Sequence, residues 1–328
     1  MPRALKGMVL AAGLGTRLRP LTDVYPKPLV PFAGSTPLEL ALANLQRAGI
    51  DEVAINAHSH SEQIARLINS NPLGQHLHLS YESVLQGTGG AYPPIRNWLG
   101  DADLVVLNGD VVAGFDLSAL IAHHRAMDAA ATMMLLPAVI AGESAVFYDQ
   151  GRIQAIGKTR PPNAVHAGNF ACAQILSPRL LDLLPQNGVF DIVSEGYQKA
   201  LSLGWCVAAH LHEGYWHDLR TPQFYWAAIL ALLRDQDVCG ALGLDLLRRR
   251  RGLEPLPNSH GVLSVAPLAS FGDVLIGPHV VIESGVHIGA GATIRNSVLL
   301  PGAIVPAGTL IEHALVGPSL RVSLTQSV

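Results

Sequence analysis

Short apolar runs alternate with segments of helical periodicity along the first two-thirds of the chain. Four of the runs cover residues 8–12, 53–55, 104–107 and 131–136. Each is short and aliphatic, which is typical of a buried strand in a parallel sheet. A helix is predicted to begin at Thr36, an N-cap residue that is followed by a proline in the first turn. Further helices are predicted from Ser61, as N-cap, to Asn69 and from Gln86 through Trp98, and a hairpin is predicted around Asp149. This pattern predicts an α/β domain.

A different pattern begins at Val274. Aliphatic residues recur there at intervals of six, with two intervals of five, and they are Ile276, Ile282, Ile288, Ile294, Leu299, Val305, Ile311 and Val316. This hexapeptide spacing predicts a left-handed parallel β-helix, in which inward aliphatic residues stack between coils. Eight rungs make fewer than three coils, so we interpret the segment as a structural and oligomerisation module. An acyltransferase remains an alternative, because His279, His287 and His313 lie in the same segment.

Composition excludes several classes of function. The 328 residues carry a formal charge of −3, which gives no argument for binding nucleic acid or an anionic membrane. The three cysteines are widely spaced without a CxxC pair, which favours a reducing compartment over disulfides or a zinc site. No apolar run is long enough to span a membrane. We therefore expect a cytoplasmic protein. The basic run at 248–251 is a separate feature, which we interpret as a solvated helix end.

The loop after the first apolar run carries candidate phosphate-binding chemistry. Gly13 and Gly15 allow a tight turn whose N–H groups can approach phosphate oxygens. Arg17 supplies a charge that can bind two oxygens at once, and Lys27 lies between two prolines that stiffen its segment. The loop is neither a P-loop nor a dinucleotide fingerprint, because no Lys-Ser/Thr pair follows and Leu18 replaces the third glycine.

Two further segments carry candidate functional residues. Gln86 has an amide that can bind the edge of a nucleobase, and the glycines after it would let the base pack on backbone. Asp110 follows the apolar run 104–107, and a carboxylate at the end of a buried strand is costly unless it binds a cation or hydrogen-bond donors. The alternative explanation for the Gln86 segment is a helix start capped by Thr88. The alternative for Asp110 is a turn residue that caps the loop after it.

The whole string GLGTRLRPLT, together with PKPLVP, resembles the signature of the sugar-1-phosphate nucleotidyltransferases, over roughly residues 6 to 225. The segment GYWHDLRTP is similar to a second segment of that family, with Arg220 where the family has glycine. The resemblance implies a Rossmann-like mixed-sheet nucleotidyltransferase domain over residues 1–233. We expect a linker over 234–264 and the left-handed β-helix over 265–322.

The resemblance also implies roles for individual residues. Asp110 and Asp218 would bind Mg²⁺, and the catalytic cations would be Arg17, Lys27 and Lys158. Sugar-phosphate binding would involve Asn108, Lys158, Gly168 and Asn169. Arg160 could substitute for Lys158 or assist it, and solvated hairpin charges are the alternative explanation for both. Nucleotide binding would involve Leu10, Ala11, Ala12, Gly13, Gly15, Thr16, Gln86, Gly87, Thr88 and Gly89.

The implied reaction joins an NTP and a sugar 1-phosphate into an NDP-sugar and pyrophosphate, and we expect GTP and mannose 1-phosphate in a homo-oligomeric enzyme. One alternative is UTP with N-acetylmuramate 1-phosphate or another hexose 1-phosphate. Another is a regulatory homologue that binds nucleotide without turnover. Three departures from the family pattern bear on this choice: the GKTRP segment around Lys158 and Arg160, the position of Asn169, and Arg220. Arg220 could fold out to solvent or face a phosphate.

Overall fold

A computed structural model describes most of the chain and divides it into two compact units. Unit 1 comprises Met1–Gly13, Asn44–Gly109 and Phe115–Gly214, and unit 2 comprises Leu14–Ala43, Asp110–Gly114 and Tyr215–Val328. No helix among the described residues is both long enough and apolar enough to cross a bilayer. The described residues are 2–58, 60–71, 73–162, 164–235, 237–250, 258–259, 261–265 and 273–324.

Helices and strands alternate as far as residue 250, and short strands follow. The α-helices are α1 (Leu21–Val24), α2 (Pro37–Arg47), α3 (Ser61–Asn69), α4 (Gly87–Gly90), α5 (Arg96–Leu99), α6 (Leu117–Ala126), α7 (Pro178–Leu181), α8 (Lys199–Ser202), α9 (Pro222–Arg234), α10 (Asp237–Leu242) and α11 (Leu244–Arg250). Shorter helical turns cover Thr16–Leu18, Lys27–Leu29 and Pro93–Ile95, and a π-helical turn covers Val193–Gln198.

The first eleven strands are β1 (Leu5–Leu10), β2 (Glu52–Ala57), β3 (His76–Tyr81), β4 (Asp103–Asn108), β5 (Val111–Ala113), β6 (Ala131–Leu136), β7 (Ala145–Asp149), β8 (Arg152–Gly157), β9 (His166–Leu176), β10 (Val207–Leu211) and β11 (Trp216–Asp218). The remaining strands are β12 (Asn258–Ser259), β13 (Val262–Ser264), β14 (Leu275–Ile276), β15 (Val280–Ile282), β16 (His287–Ile288), β17 (Thr293–Arg295), β18 (Ser297–Leu299), β19 (Ile304–Val305), β20 (Leu310–Glu312), β21 (Ala314–Val316) and β22 (Arg321–Ser323).

Unit 1 is built on a mixed nine-stranded sheet with the order β3-β2-β1-β4-β9-β6-β10-β8-β7. Its first four strands are parallel, and Met8 lies beside Ala54 on one side and Val106 on the other. Strand β9 runs antiparallel to both β4 and β6, which makes the sheet mixed. The four apolar runs that predicted strands all form strands of this sheet. Fully buried aliphatic residues and two large aromatic ones, Tyr92 and Tyr197, pack against it.

Two local expectations in unit 1 were wrong. A single helix was expected from Gln86 through Trp98, but the segment forms α4, a separate turn and α5. The turn Pro93–Ile95 contains two prolines, which lack the N–H groups that a continuous helix needs. Ser61 was expected to cap α3, but His60 is the cap residue, in the left-handed conformation at φ +57°.

Unit 2 contains the C-terminal repeat, which forms short parallel strands in register. Strands β13, β15, β18 and β21 form one sheet, and β14, β17 and β20 form a second. Paired residues are 17 positions apart, which is about three hexapeptide repeats: Val281 pairs with Val298, and Val298 pairs with Leu315. The eight aliphatic residues that predicted the repeat all belong to or pack against one buried cluster. Stacked parallel strands with an aliphatic core are therefore present where the spacing predicted them.

The predicted linker contains two helices, α10 and α11. The expectation that its basic run is solvated was wrong for Arg248, whose residue exposure is only 7%. Arg251 lies outside the described residues. Arg248 follows Leu244 by one helical turn, on the buried face of α11. The boundaries of the three predicted segments stay predictions.

A buried carboxylate in the repeat holds the loop that follows Lys27. Glu283 comes directly after β15, and both of its side-chain oxygens accept from the amide of Gly34, at 3.1 and 2.9 Å. Burial raises the pKa of Glu283 to about 7, while the Gly34 and Ala33 amides and Arg248 oppose this shift. In the folded chain Glu283 therefore keeps its proton to a higher pH than an ordinary glutamate, whose pKa is 4.5.

This raised pKa predicts that stability falls as pH increases between about 4.5 and about 7. Over that window the unfolded chain releases the proton and the folded chain retains it, which amounts to at most about 3 kcal/mol. Urea unfolding at several pH values checks this. Glu283→Gln should flatten the slope, whereas Glu62→Gln on the surface should leave it unchanged. An unchanged slope in Glu283→Gln would contradict the assignment.

Candidate active site

Two acidic residues that are far apart in the sequence lie side by side in unit 2. Strands β5 and β11 pair antiparallel, with Val111 opposite Asp218. The amide of Leu219 donates to the carbonyl oxygen of Asp110 at 3.2 Å, which extends the pairing by one residue. Because Asp110 directly precedes β5, this two-stranded ribbon places both aspartates at the same end.

The ammonium group of Lys27 lies against both carboxylates. Its Nζ atom is 2.6 Å from Asp110 Oδ2 and 3.4 Å from Asp218 Oδ1. Lys27 begins a short helical turn and is only 7% exposed. Two neighbouring carboxylates repel each other, and a cation in contact with both offsets that repulsion. The structure thus brings together three residues that the sequence singled out.

The glycine-rich loop provides the space that Lys27 occupies. Gly15 has a φ of +62°, and a β-carbon on it would lie 2.8 Å from Lys27 Cβ. Thr22 Oγ1 donates to the carbonyl oxygen of Gly15 at 2.9 Å and holds this part of the loop. Glycine is therefore required at this position both by the left-handed backbone and by the close approach of the lysine side chain.

The pKa of Asp218 is raised overall, although the cations around it oppose the shift. Desolvation raises its pKa, and the charge of Asp110 raises it further. The positive charges of Lys27 and Arg220 lower it, as does the hydrogen bond from Lys27. The carboxylate form of Asp218 thus depends on the cations around it. A site of this kind suits a ligand that brings additional positive charge.

Arg220 replaces the glycine that the resembled family carries. Its Nε atom lies 3.7 Å from Asp218 Oδ2, and its side chain is 16% exposed. The guanidinium group lies 4.4 Å from the centre of the Phe224 ring, a distance at which cation–π attraction operates. Of the two orientations that the sequence left open, folding out to solvent is excluded. Arg220 adds a second cation beside Asp218.

In unit 1, a chain of buried hydrogen bonds joins the end of β1 to the segment that begins at Gln86. The amide of Ala11 donates to Asn56 Oδ1 at 2.7 Å, and Asn56 Nδ2 donates to Glu82 Oε1 at 2.7 Å. The amide of Gln86 donates to Glu82 Oε2 at 3.0 Å. Glu82 is only 4% exposed. It therefore fixes two of the predicted nucleotide-binding segments relative to each other.

The glycines after Gln86 have a packing reason that the sequence did not reveal. A β-carbon on Gly89 would lie 2.5 Å from the Phe190 ring, and one on Gly87 would lie 2.5 Å from the Phe190 carbonyl oxygen. The amide of Gly89 donates to that oxygen at 3.0 Å. Side chains at these positions would separate the two segments. Packing against Phe190 therefore explains why both positions are glycine, independently of the predicted nucleotide binding.

Comparison with known proteins identifies the family. The nucleotidyl transferase family matches residues 6–235. The chain belongs to this family. It is 30% identical to the mannose-1-phosphate guanylyltransferase of Mycobacterium tuberculosis, over 93% of this chain and 82% of that protein. It is 27% identical to a UTP–glucose-1-phosphate uridylyltransferase of Synechocystis, over 97% of this chain and 86% of the relative.

Solved structures agree with the fold of this nucleotidyl transferase. A Bacillus anthracis protein, assigned as a glucose-1-phosphate thymidylyltransferase, superposes with a TM-score of 0.61 at 20% sequence identity. The match covers 71% of this chain and 96% of the other. At this identity the likeness concerns the fold alone.

The remaining cations that the sequence singled out in this nucleotidyl transferase lie at the surface. Arg17 is exposed within the turn Thr16–Leu18. Lys158 is exposed directly after β8. Arg160, which the sequence offered as a helper of Lys158, donates to the carbonyl oxygens of Ala164 and Val165, both at 2.9 Å. Arg160 therefore stabilises its own loop.

The predicted sugar-facing residues of strand β9 are tied to neighbouring segments. Asn169 is 2% exposed; its Nδ2 donates to Ser144 O at 2.9 Å and its Oδ1 accepts from the amide of Ile140. A β-carbon on Gly168 would lie 2.4 Å from Leu136 O, so the two strands require glycine there. Asn108 ends β4 and is half-buried. Contact of these residues with a sugar stays a prediction.

The donor set of the aspartate pair fits Mg²⁺. No cluster of three or more His, Cys, Asp or Glu side chains suited to a metal occurs in the described part of the chain. Mg²⁺ does not need one, because it binds proteins through one or two carboxylates and takes its other ligands from water and substrate phosphates. Two carboxylates that already contact one cation, Lys27, meet that requirement.

Sequence reasoning missed Glu82. It placed Asn56 at the end of the apolar run 53–55, where its side chain could line a cleft or belong to an ordinary turn. The position of Asn56 after a buried strand was a usable signal, because open α/β sheets place ligand sites at such ends. Glu82 follows a half-exposed strand, β3, where a glutamate is unremarkable. Its importance depends on three-dimensional pairing, which the local sequence does not encode.

The Lys27 contacts predict that Lys27→Met destabilises the metal-free protein by about 2 kcal/mol, because two carboxylates then lack their cation. The loss should be smaller than the roughly 3–5 kcal/mol of a fully buried pair, since both aspartates are partly exposed. Urea unfolding in the presence of a chelator measures it. Adding Asp218→Asn should recover part of the loss.

Lys158→Met is the matched control, because that lysine is exposed, and we expect its effect to stay within about 0.5 kcal/mol. Equal stability of Lys27→Met and the wild type would show that the ion pairs contribute nothing to the fold.

Proposed function

We propose that this nucleotidyl transferase joins GTP and mannose 1-phosphate to form GDP-mannose and pyrophosphate. The choice of substrates is supported by the 30% identity to the mannose-1-phosphate guanylyltransferase of Mycobacterium tuberculosis, which extends over 93% of this chain. The observation that carries the activity is the convergence of Asp110 and Asp218 on Lys27. Paired carboxylates with a buried cation are suited to binding phosphates through a divalent ion.

In the proposed reaction an oxygen of the sugar 1-phosphate attacks the α-phosphorus of the NTP. A new P–O bond forms there, the bond to the β-phosphate breaks, and pyrophosphate leaves with the electron pair. The nucleophile is already anionic, so no general base is required. The barrier comes from repulsion between the phosphates and from charge that develops on the leaving group, so positioned cations provide the catalysis.

The cations of the chain have distinct proposed roles. Arg17 binds the leaving β- and γ-phosphates, and its forked guanidinium suits this. Lys27 neutralises charge near the reacting phosphates. Lys158 orients the sugar phosphate, with Asn108, Gly168 and Asn169 nearby in the proposed sugar subsite. The proposed nucleotide-binding residues are Leu10, Ala11, Ala12, Gly13, Gly15, Thr16, Gln86, Gly87, Thr88 and Gly89.

Asp110 and Asp218 are the proposed Mg²⁺ ligands. When bound, Mg²⁺ neutralises negative charge on the phosphates. The role of the two aspartates is to hold that charge in a fixed place. Lys27, which contacts both of them, keeps the pair close together against their mutual repulsion.

Further features of the proposal concern assembly and location. We infer that the C-terminal repeat winds as a left-handed β-helix, for which the hexapeptide spacing and the parallel register of its strands are the support. We also propose that this repeat contributes to a homo-oligomer. A cytoplasmic location is proposed from the spacing of the three cysteines.

Two alternatives to this proposal concern the substrates and the presence of turnover. UTP with a hexose 1-phosphate is favoured by the 27% identity to a UTP–glucose-1-phosphate uridylyltransferase, and UTP with N-acetylmuramate 1-phosphate was the alternative from the resemblance. A regulatory homologue that binds nucleotide without turnover is the alternative of another class. Arg220 beside Asp218 motivates it, because an added cation there could weaken metal binding.

A panel that pairs each NTP with several sugar 1-phosphates tests the proposal through pyrophosphate release. We expect the highest kcat/KM for GTP with mannose 1-phosphate, and no release in the presence of a chelator. UTP as the preferred nucleotide would favour the second pair. NTP binding without release from any pair would refute the enzymatic proposal.

Asp110→Asn and Arg17→Ala should each reduce kcat by about 100-fold or more, the scale for loss of one transition-state charge contact. Asp128→Asn and Arg66→Ala are matched controls, since both side chains are mostly exposed. Asp110→Asn should also raise the Mg²⁺ concentration needed for half-maximal rate. Turnover near that of the wild type in either variant would contradict the assigned roles.

A further inference from the structure

One turn of the C-terminal repeat differs from the others in the residues that occupy its left-handed position. His279, Asn296 and His313 lie one coil apart, and their φ angles are +55°, +48° and +46°. The other turns place glycine at this conformation, with φ between +67° and +73° at Gly285, Gly302, Gly291 and Gly308. Gly261 occupies the equivalent position one turn before His279 in the stack, and its φ angle is +72°.

A side chain at this backbone conformation is unfavourable, because the β-carbon crowds the adjacent carbonyl oxygen. Glycine would satisfy the turn without strain, as it does at the neighbouring turns. Backbone strain of this kind clusters at functional sites, and here it recurs at the same position of successive turns. Two of the three side chains are in contact, since His279 Nδ1 lies 3.1 Å from Asn296 Oδ1, and His313 is the next residue of the row along the stacked turns.

This row of side chains lines one wall of a cavity of about 660 Å³ in unit 2. Helix α9 lines another wall with Gln223, Trp226, Leu230 and Arg234. These residues are spaced by three or four positions and therefore lie on one face of the helix. A volume of this size is typical of a site for a small organic molecule.

The lining combines hydrogen-bond donors with an apolar surface. His279, His313, Arg234, Gln223 and Asn296 all carry N–H donors, and no acidic residue is among the described lining residues. The nearest carboxylate to His313, that of Glu312, also pairs with Arg295 at 2.8 Å. Arg234 supplies a fixed positive charge, and no carboxylate among the described lining residues offsets it, which favours an anion.

The apolar part of the lining indicates what else the ligand contains. Trp226 and Leu230 on α9, together with Leu324, present an apolar surface beside the donors. Indole and leucine side chains favour contact with a ring or another flat apolar group. We propose that this cavity binds a small organic anion, in which a phosphate or carboxylate group is attached to an apolar ring.

The proposed site is separate from the aspartate pair, because Lys27, Asp110 and Asp218 are not among its described lining residues. It is nevertheless connected to that pair through the chain. Thr221 caps α9 through a hydrogen bond from the Phe224 amide, and Asp218 lies three residues before this cap. A ligand held on α9 would therefore contact the helix that follows the proposed metal ligand.

Isothermal titration calorimetry with the full-length protein tests the proposal. The probes are phenyl phosphate and benzoate, which separate the two anionic groups, and benzyl alcohol, which has the ring without the charge. We expect saturable binding of at least one anionic probe and none of benzyl alcohol. Absence of binding by both anions would overturn the proposal.

The decisive variant is His279→Gly combined with His313→Gly, because glycine is the residue that the other turns of the repeat use. The double variant should keep or increase the Tm, and its affinity for the probe should fall by about tenfold or more. Arg234→Gln should weaken binding similarly and gives an independent result if the double variant folds poorly. Arg17→Ala is the control, because it alters a proposed substrate contact and should leave probe binding unchanged.

Unchanged affinity in both the double glycine variant and Arg234→Gln would overturn the proposal. So would loss of binding in Arg17→Ala, since the probe would then occupy the proposed substrate site. A failure of the proposed transferase activity alone would leave these binding results unaffected.

Discussion

The contact of one buried ammonium group with two carboxylates is the constraint on which the candidate active site depends. Asp110 and Asp218 lie next to each other because β5 and β11 pair, and that pairing would concentrate negative charge without Lys27. Lys27 in turn reaches them because Gly15 has no side chain to obstruct it. The positions of the glycine loop, the lysine segment and the two aspartates therefore depend on one another, although these residues are dispersed in the sequence.

Two buried glutamates position the loop after Lys27 and the predicted nucleotide-binding segments. Glu283 binds the amide of Gly34 and so holds the loop that follows Lys27. Glu82 performs a comparable task in unit 1, where it links the end of β1 to Gln86 through Asn56. In both places a buried glutamate accepts hydrogen bonds from backbone amides of a loop. Loops fixed in this way lose little entropy when a substrate binds.

Much of the fold followed from local pattern. The strand Ala131–Leu136 and the hairpin around Asp149 were predicted closely, because short aliphatic runs and a Gly-containing turn have few alternative structures. The repeat was predictable because its spacing recurs. The segment after Gln86 was mispredicted, since its helical pattern was weighed more heavily than Pro93 and Pro94.

The candidate site was predictable only in part. The motifs indicated Lys27, Asp110 and Asp218, but the sequence did not reveal that Lys27 contacts both carboxylates. It also did not show that both the oxygen and the nitrogen of the Asn169 side chain form hydrogen bonds, with the backbone of Ile140 and of Ser144. The burial of Arg248 and the pairing of Glu82 were missed for the same reason. Partners that are distant in sequence decide the state of a polar side chain, and local pattern carries no record of them.

The claim that Asp110 and Asp218 jointly hold one divalent ion can be measured directly by electron paramagnetic resonance with Mn²⁺ in place of Mg²⁺. The titration is carried out with saturating GTP, and GTP without protein serves as the reference. We expect one protein-dependent Mn²⁺ per chain in the wild type and its loss in Asp110→Asn and in Asp218→Asn alike. Undiminished Mn²⁺ binding in either variant would contradict the account.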